Sequence, residues 1–110
     1  MNKKILITGA QGFTGRHACL IFKQLGYQVK SVVRGDFTNS TKDILYCNST
    51  YLADVEKVIQ TTKPDFIIHL AGKNHAGESW KHPDLYMDGN IMGTINLWEA
   101  VRKYKSDTKI

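Results

Sequence analysis

The sequence predicts an α/β fold in which a parallel β-sheet carries helices on both faces. Two observations predict it. Short apolar runs alternate with segments of helical periodicity along the 110 residues, and a glycine-rich turn follows the first apolar run directly. Alternating strands and helices form an open parallel sheet with right-handed crossovers. The expected strand order is 3-2-1-4, a doubly wound, Rossmann-type arrangement with its ligand site at the switch point beside strand 1.

The first half of the chain supplies three strands and one helix. The strands are short apolar, β-branched runs, and the helix has apolar residues at helical period and stops at Gly26. A polar loop, 38–42, precedes the third strand. The predicted elements are strand Lys4–Ile7, helix Phe13–Leu25, strand Val29–Val33 and strand Ile44–Tyr46.

The second half continues the alternation. Leu52, Val55, Val58 and Ile59 mark a helix that Lys63-Pro64 ends. Strand Phe66–Leu70 follows, and a long helix is expected from Pro83 to about Tyr104. Its inward face is predicted to carry Leu85, Ile91, Ile95, Leu97, Trp98 and Val101.

The end of the sequence, Thr108–Ile110, has the pattern of the first step into a fifth strand. A sheet that stops there leaves strand 4 with an open edge. We therefore expect residues 1–110 to be one incomplete dinucleotide-binding domain, truncated at the start of strand 5, from a longer protein or a truncated product. The open edge also predicts a possible homodimer through strand 4 or exchanged elements.

Composition excludes several classes of protein. The net charge is +5, but the fifteen basic residues are scattered and lack an aromatic platform, so no nucleic-acid partner is expected. No apolar run approaches the roughly 20 residues that cross a bilayer, so no membrane partner is expected. Cys19 and Cys47 have no metal-ligand spacing and are interpreted as reduced and structural. These features predict a cytoplasmic protein without a metal site.

Three glycines directly after the first strand carry the main functional signal. Gly9 permits a sharp exit from the strand, Gly12 lets a pyrophosphate approach the backbone, and Gly15 allows the following helix to pack closely on the sheet. The amides and the positive end of that helix would face the phosphates. The turn therefore predicts a dinucleotide site.

Three blocks together carry a family resemblance: the glycine turn, the segment 63–72 (KPDFIIHLAG) and the segment 90–100 (NIMGTINLWEA). In this order and spacing they resemble the N-terminal half of the extended short-chain dehydrogenase/reductase family. That family includes nucleotide-sugar epimerases, dehydratases and reductases. The resemblance implies the NAD(P)-binding portion of such an enzyme, with a nucleotide sugar as the partner of the full-length protein.

The resemblance also implies which residues contact the cofactor. The backbone of Phe13 and Thr14 would lie against the pyrophosphate, and Asn48 and Ser49 would flank the adenine. The family often has aspartate at position 48, but an amide oxygen can still accept from the adenine amino group. The ribose and nicotinamide side would be lined by Leu70, Ala71, Gly72, Lys73 and Asn74, with Gly89 at a further contact position.

The end of strand 2 bears on the choice between NADP and NAD. An acidic residue there would bind the ribose hydroxyls and repel a 2′-phosphate, but this chain has Val33 followed by Arg34. An arginine fork suits a phosphate, and Arg16 is a possible second cation. Asp36 would favour NAD if its loop turned back to the ribose. NADP is favoured over NAD.

No catalytic residue is predicted. The family's reaction uses a Tyr-x-x-x-Lys pair, and the positions four after the five tyrosines hold serine, threonine, valine, asparagine and threonine. His69, at the end of a buried strand, is interpreted as a packed, hydrogen-bonded residue rather than a catalytic one. A non-catalytic dinucleotide-binding or interaction module is therefore the alternative to part of an enzyme.

Overall fold

The fold, obtained as a computed structural model, is described for residues 3–71, 81, 83–84 and 88–110. Four parallel strands form one sheet in the order β3-β2-β1-β4, which is the predicted order. The strands are β1 (Lys4–Thr8), β2 (Gln28–Arg34), β3 (Ile44–Cys47) and β4 (Phe66–His69). The helices are α1 (Phe13–Gln24), α2 (Leu52–Thr62) and α3 (Gly93–Tyr104).

Helices cover both faces of the sheet because the central strand is apolar on both sides. In β1, Leu6 packs into a core cluster with residues of α2 and α3. Its neighbours Ile5 and Ile7 pack into a second cluster with residues of α1. Successive side chains of a strand point to opposite faces, so one buried strand serves two cores. The sheet is therefore doubly wound, as the sequence predicts.

The helix ends follow local backbone chemistry. α1 is followed by Gly26, whose φ of +93° lies in the left-handed region. α2 is capped by Lys63, whose φ of 44° is also left-handed, and buried Pro64 prevents continuation. The loop between β2 and β3 contains a short 3₁₀ turn, Phe37–Asn39, which was not predicted from the sequence.

The long third helix differs from the prediction. Pro83 and Asp84 are helical, Asp88–Met92 form a π-helical turn, and α3 begins only at Gly93. The predicted inward face is partly wrong, since Trp98 is 58% exposed and Ile91 and Ile95 are also exposed. The helix packs instead through a stripe at helical spacing that includes small and polar residues: Gly93, Asn96, Leu97, Ala100 and Val101. Leu85 lies outside the described residues.

The last residues begin to extend the sheet. Lys109 pairs with Phe66 in a parallel bridge, and its carbonyl accepts from the amide of Ile67 at 2.8 Å. The predicted first step into a fifth strand is thus confirmed. Self-association through β4 stays a prediction that light scattering across concentration would check. Within the described ranges, no helix is long and apolar enough to cross a bilayer.

Candidate functional site

The glycine turn between β1 and α1 is closed by backbone contacts. Gly9 has a φ of +67°, and a Cβ there would lie 2.7 Å from the backbone that follows β4 at Leu70 and Ala71. A Cβ at Gly15 would lie 2.2 Å from the carbonyl oxygen of Gly9. Gly15 therefore packs the helix start against the turn itself, rather than against the sheet as the sequence predicts. Among the described residues, a Cβ at Gly12 would meet only the Gly9 carbonyl, at 3.4 Å.

The start of α1 presents a set of unused hydrogen-bond donors. Gly12 is the N-cap, its carbonyl oxygen accepts from the amide of Arg16 at 2.9 Å, and no side chain caps the helix. Among the described residues, no acceptor takes the amide hydrogens of Phe13, Thr14 or Gly15. The first turn also contains no acidic side chain. These donors and the helix dipole together favour an anion.

A cleft of about 690 Å³ opens in front of these amides, at the carboxyl ends of the strands. This volume is in the range of small-molecule and cofactor sites. The cleft brings together most of the predicted site residues: Gly9, Gly12, Phe13, Thr14, Gly15, Arg34, Asn48, Ser49, Leu70 and Ala71. Of the described residues that line it, Arg34 alone carries a full formal charge. The positive charge of Arg34, like the amides at the start of α1, favours a phosphorylated ligand.

The end of β2 presents Arg34 to solvent at the cleft. Its guanidinium makes no hydrogen bond or ion pair with any described residue. Asp36, the alternative ribose ligand, is used locally, because its Oδ1 accepts from the Thr38 amide at 3.0 Å and the Thr38 hydroxyl at 2.8 Å. The Thr38 amide holds the pKa of the Asp36 carboxyl below its ordinary value. Arg16 donates from Nε to the carbonyl of Gln11 at 2.9 Å.

The loop after β3 is hydrogen-bonded within itself and to α3. Asn48 Oδ1 accepts from the amide of Thr50 at 3.1 Å and from its hydroxyl at 2.7 Å. Both lone pairs of this oxygen are therefore used within the loop. None is left for the adenine amino group, so the predicted contact between Asn48 and that group is wrong for this side-chain arrangement. Ser49 is held from α3, since Asn96 Nδ2 donates to its carbonyl at 2.8 Å. Asn96 is 5% exposed.

Replacing Asn96 with alanine is expected to lower the free energy of unfolding by about 1–3 kcal/mol, because the Ser49 carbonyl loses its donor in a partly buried position. Thermal or urea unfolding measures this change. Asn39, an exposed asparagine, is the matched control, and its alanine variant should change stability by less than about 0.5 kcal/mol. Equal effects at the two positions would contradict the role of Asn96.

The exit of β4 forms the opposite wall of the cleft. The amides of Leu70 and Ala71 both donate to the hydroxyl of Thr8, at 3.0 and 3.1 Å. His69 contacts the same hydroxyl through Nδ1 at 2.7 Å, in agreement with its interpretation as a hydrogen-bonded residue. The predicted contacts Gly72, Lys73 and Asn74 lie outside the described residues. Gly89 lies in the π-helical turn before α3.

Sequence reasoning missed Thr8, Thr94 and Asn96. One signal was available for Thr8. With strands 1 and 4 adjacent and parallel, the last residue of each lies at the same edge of the sheet, and Thr8 indeed pairs in register with His69. Nothing in the sequence placed Asn96 on the buried stripe. No group of three or more metal-ligating side chains occurs within the part of the chain that the structure describes.

Comparison with known proteins identifies the class. The chain matches the model of the NAD-dependent epimerase/dehydratase family over residues 5–110. The chain therefore belongs to this family, as its dinucleotide-binding portion. It is 30% identical over 116 residues to UDP-glucose 4-epimerase 3 of Oryza sativa subsp. japonica, covering 91% of this chain and 31% of the relative. It is 33% identical over 121 residues to UDP-glucose 4-epimerase 2 of Arabidopsis thaliana, covering 94% and 34%.

Solved structures show the same relationship. UDP-glucose 4-epimerase of Thermus thermophilus in complex with NAD has a TM-score of 0.78 and 26% identity, covering 92% of this chain and 34% of that one. dTDP-4-dehydrorhamnose reductase of Bacillus anthracis in complex with NADP has a TM-score of 0.77 and 24% identity, covering 94% and 34%, and shows the fold alone. The chain spans about a third of the length of the curated relatives it matches.

Proposed function

We propose that the chain binds a nicotinamide dinucleotide through the start of α1. The observation that carries this proposal is the set of amides of Phe13, Thr14 and Gly15, which have no acceptor among the described residues and face the cleft. A diphosphate supplies acceptors for such donors without a side-chain cation. Gly12 leaves open space beside them, so a phosphate can approach the backbone.

The remaining walls of the cleft fit the rest of such a ligand. The adenosine would lie between the end of β2 and the loop at Asn48 and Ser49. The nicotinamide and its ribose would lie along Leu70 and Ala71, beyond which Gly72, Lys73 and Asn74 follow in sequence. When bound, the nicotinamide ring would supply the acceptor or donor of a hydride. The residues of this chain bind and orient it.

We propose further that NADP is preferred over NAD. The matched epimerase structure contains NAD and the matched reductase contains NADP, so similarity favours neither. Arg34 lies at the cleft without a partner among the described residues, whereas Asp36 is held in its own turn by Thr38. A guanidinium at this place favours a 2′-phosphate through charge-assisted hydrogen bonds.

Replacing Arg34 with aspartate is expected to weaken NADP binding by about 10- to 100-fold, since a charge-assisted hydrogen bond contributes about 1.5–3 kcal/mol. The affinity for NAD should change much less. Isothermal titration calorimetry with both coenzymes measures the two dissociation constants. Arg102→Asp is the charge-matched control, because Arg102 is exposed on α3 and pairs with Glu99. Equal losses for NADP and NAD in Arg34→Asp would refute the preference.

We also propose that a protein of the relatives' length uses this portion in epimerisation, dehydration or reduction of a nucleotide sugar. The support is the family match together with relatives that are UDP-glucose 4-epimerases. Addition of UDP-glucose to the longer, coenzyme-loaded protein should change the near-ultraviolet absorbance of the nicotinamide. No change with any nucleotide sugar tested, despite coenzyme binding, would favour a non-catalytic module.

We propose a cytoplasmic location on the basis of the cysteines. Both thiols are free. Burial, with a smaller contribution from Asp54, raises the pKa of the Cys47 thiol to about 12, so it stays protonated and unreactive at neutral pH. Free, structural cysteines are typical of reducing compartments.

A further inference from the structure

The hydroxyl of Thr8 lies where β1 and β4 leave the sheet, on the wall of the cleft. Its Oγ1 accepts hydrogen bonds from the amides of Leu70 and Ala71. A threonine hydroxyl has two lone pairs and one hydrogen, so both acceptor positions are in use. The hydrogen is therefore directed to Nδ1 of His69, 2.7 Å away.

This arrangement determines the tautomer of His69. Because Nδ1 accepts a hydrogen bond, a neutral ring must carry its hydrogen on Nε2. Nε2 lies 3.1 Å from the hydroxyl oxygen of Thr94 in α3, which in turn donates to the carbonyl of Asn90 at 2.8 Å. Each hydrogen in the series Thr8–His69–Thr94 then has one acceptor. The hydrogen bonds of this series therefore all run the same way, from β1 through β4 to α3.

The surroundings of the His69 ring favour its neutral form. Burial alone lowers its pKa below the ordinary value. The groups that contact the ring from β1 and α3 are both hydroxyls, those of Thr8 and Thr94. No charged side chain of the described residues shifts this pKa. The neutral state is therefore the one that the packing stabilises.

The backbone at residues 70–71 is also the surface on which the glycine turn rests. A Cβ on Gly9 would come within 2.8 Å of Leu70 and Ala71 backbone atoms, so the two segments are in close contact. Displacing residues 70–71 would therefore remove one support of the turn that leads into α1. A change at Thr8 therefore affects both walls of the cleft, the segment 70–71 and the glycine turn.

We propose that His69 is a positioning residue of the cleft, and that a proton taken up on its Nδ1 frees one of the two amides, that of Leu70 or that of Ala71, from Thr8 and weakens dinucleotide binding. A protonated Nδ1 directs its hydrogen at the hydroxyl oxygen of Thr8, which already accepts two hydrogen bonds. Thr8 must then turn its own hydrogen away and release a backbone amide. This inference rests on the proposed function of the cleft.

The sign of the pH dependence follows from the direction of the shift. A histidine whose pKa is lowered by folding stabilises the folded state fully above its ordinary pKa. That contribution is lost as the pH falls through the lowered pKa of His69. Dinucleotide affinity should fall over the same range, because the walls of the cleft keep their hydrogen bonds only while the His69 ring is neutral.

The tautomer is measured without any variant. Long-range ¹H–¹⁵N correlation spectra of the histidine-labelled protein separate the two neutral tautomers, since a ring nitrogen without hydrogen resonates far downfield. His69 should show an unprotonated Nδ1 at about pH 8. Its signals are assigned by their absence from His69→Asn. An Nδ1–H tautomer at His69 would overturn the proposal.

The binding test compares two variants at matched pH values. In His69→Asn, the amide oxygen takes the place of Nδ1 as acceptor for Thr8, but the side chain does not titrate. His69→Gln places its amide near Nε2 instead and leaves the hydrogen of Thr8 without that acceptor. We expect His69→Asn to keep the affinity for NADP and NAD at about pH 8 within about threefold, and His69→Gln to lose about tenfold.

The dissociation constant of the unmodified protein should rise by up to about tenfold per pH unit below the pKa of His69, the slope for one proton. Because the 2′-phosphate of NADP titrates near pH 6, the effect is measured as the difference from His69→Asn and repeated with NAD. Parallel curves for the two proteins would overturn the role of His69. No binding of either coenzyme at any pH, with the expected tautomer present, would instead overturn the proposed function.

Discussion

Replacing Gly15 with alanine is expected to lower the free energy of unfolding by about 3 kcal/mol or more. A methyl group there would lie 2.2 Å from the carbonyl oxygen of Gly9 and 2.8 Å from Cα of Ala10, and both are backbone atoms that cannot rotate away. Alanine gains at most about 1 kcal/mol of helix propensity over glycine, which is too little to offset this clash. Urea unfolding followed by circular dichroism measures the difference.

Gly12→Ala is the control in the same turn. Its φ is −72°, which any residue adopts, and within the described part of the chain its methyl would meet only the Gly9 carbonyl, at an ordinary 3.4 Å. Loss of the N-cap glycine should cost less than about 1 kcal/mol. If Gly15→Ala were as stable as Gly12→Ala, the close contact between the helix start and the turn would be wrong.

The second large effect is expected on ligand binding in this same Gly12→Ala variant. Its methyl group would occupy the space through which a diphosphate reaches the amides of Phe13, Thr14 and Gly15. The dissociation constants for NADP and NAD should both rise at least about tenfold while the fold is retained. Calorimetric titration of the folded variant measures this.

A matched substitution separates this effect from general loss of packing. Ala18→Gly changes one methyl group on α1, in the cluster beneath the sheet and away from the residues that line the cleft. Ala18→Gly should lower the free energy of unfolding but leave the dissociation constants for NADP and NAD within about twofold of those of the unmodified protein. Unchanged affinity in Gly12→Ala would show that the ligand does not approach the backbone at this turn.

The main features of the fold were predictable from local patterns. The apolar run before Gly9 indicates a strand buried on both faces, since Ile5, Leu6 and Ile7 are successive and have no polar alternation. A strand of this kind requires helices on both sides, and the glycine turn after strand 1 then favours the doubly wound strand order 3-2-1-4. The glycine spacing placed the cleft at the end of the same strand.

The side-chain interactions of the site were less predictable because they depend on tertiary contacts. The sequence placed Asn48 beside the adenine, but its amide oxygen is used by Thr50, two residues away. Trp98 was predicted to be buried for its apolar character, yet α3 packs through smaller residues such as Ala100. The burial of Asn96 could not be predicted, because a polar side chain is buried only when a hydrogen-bond partner is present, and here that partner is distant in the sequence.

The most direct test of the account is the amide spectrum of the start of α1. In ¹H–¹⁵N correlation spectra recorded during titration with NADP or NAD, the amide protons of Phe13, Thr14 and Gly15 should move downfield as they begin to donate to phosphate oxygens. Ile59 and Thr62, buried in α2 and absent from the lining of the cleft, provide reference amides within the same spectra. If either coenzyme saturates the protein while the chemical shifts of the three amides at the start of α1 stay unchanged, the account is contradicted.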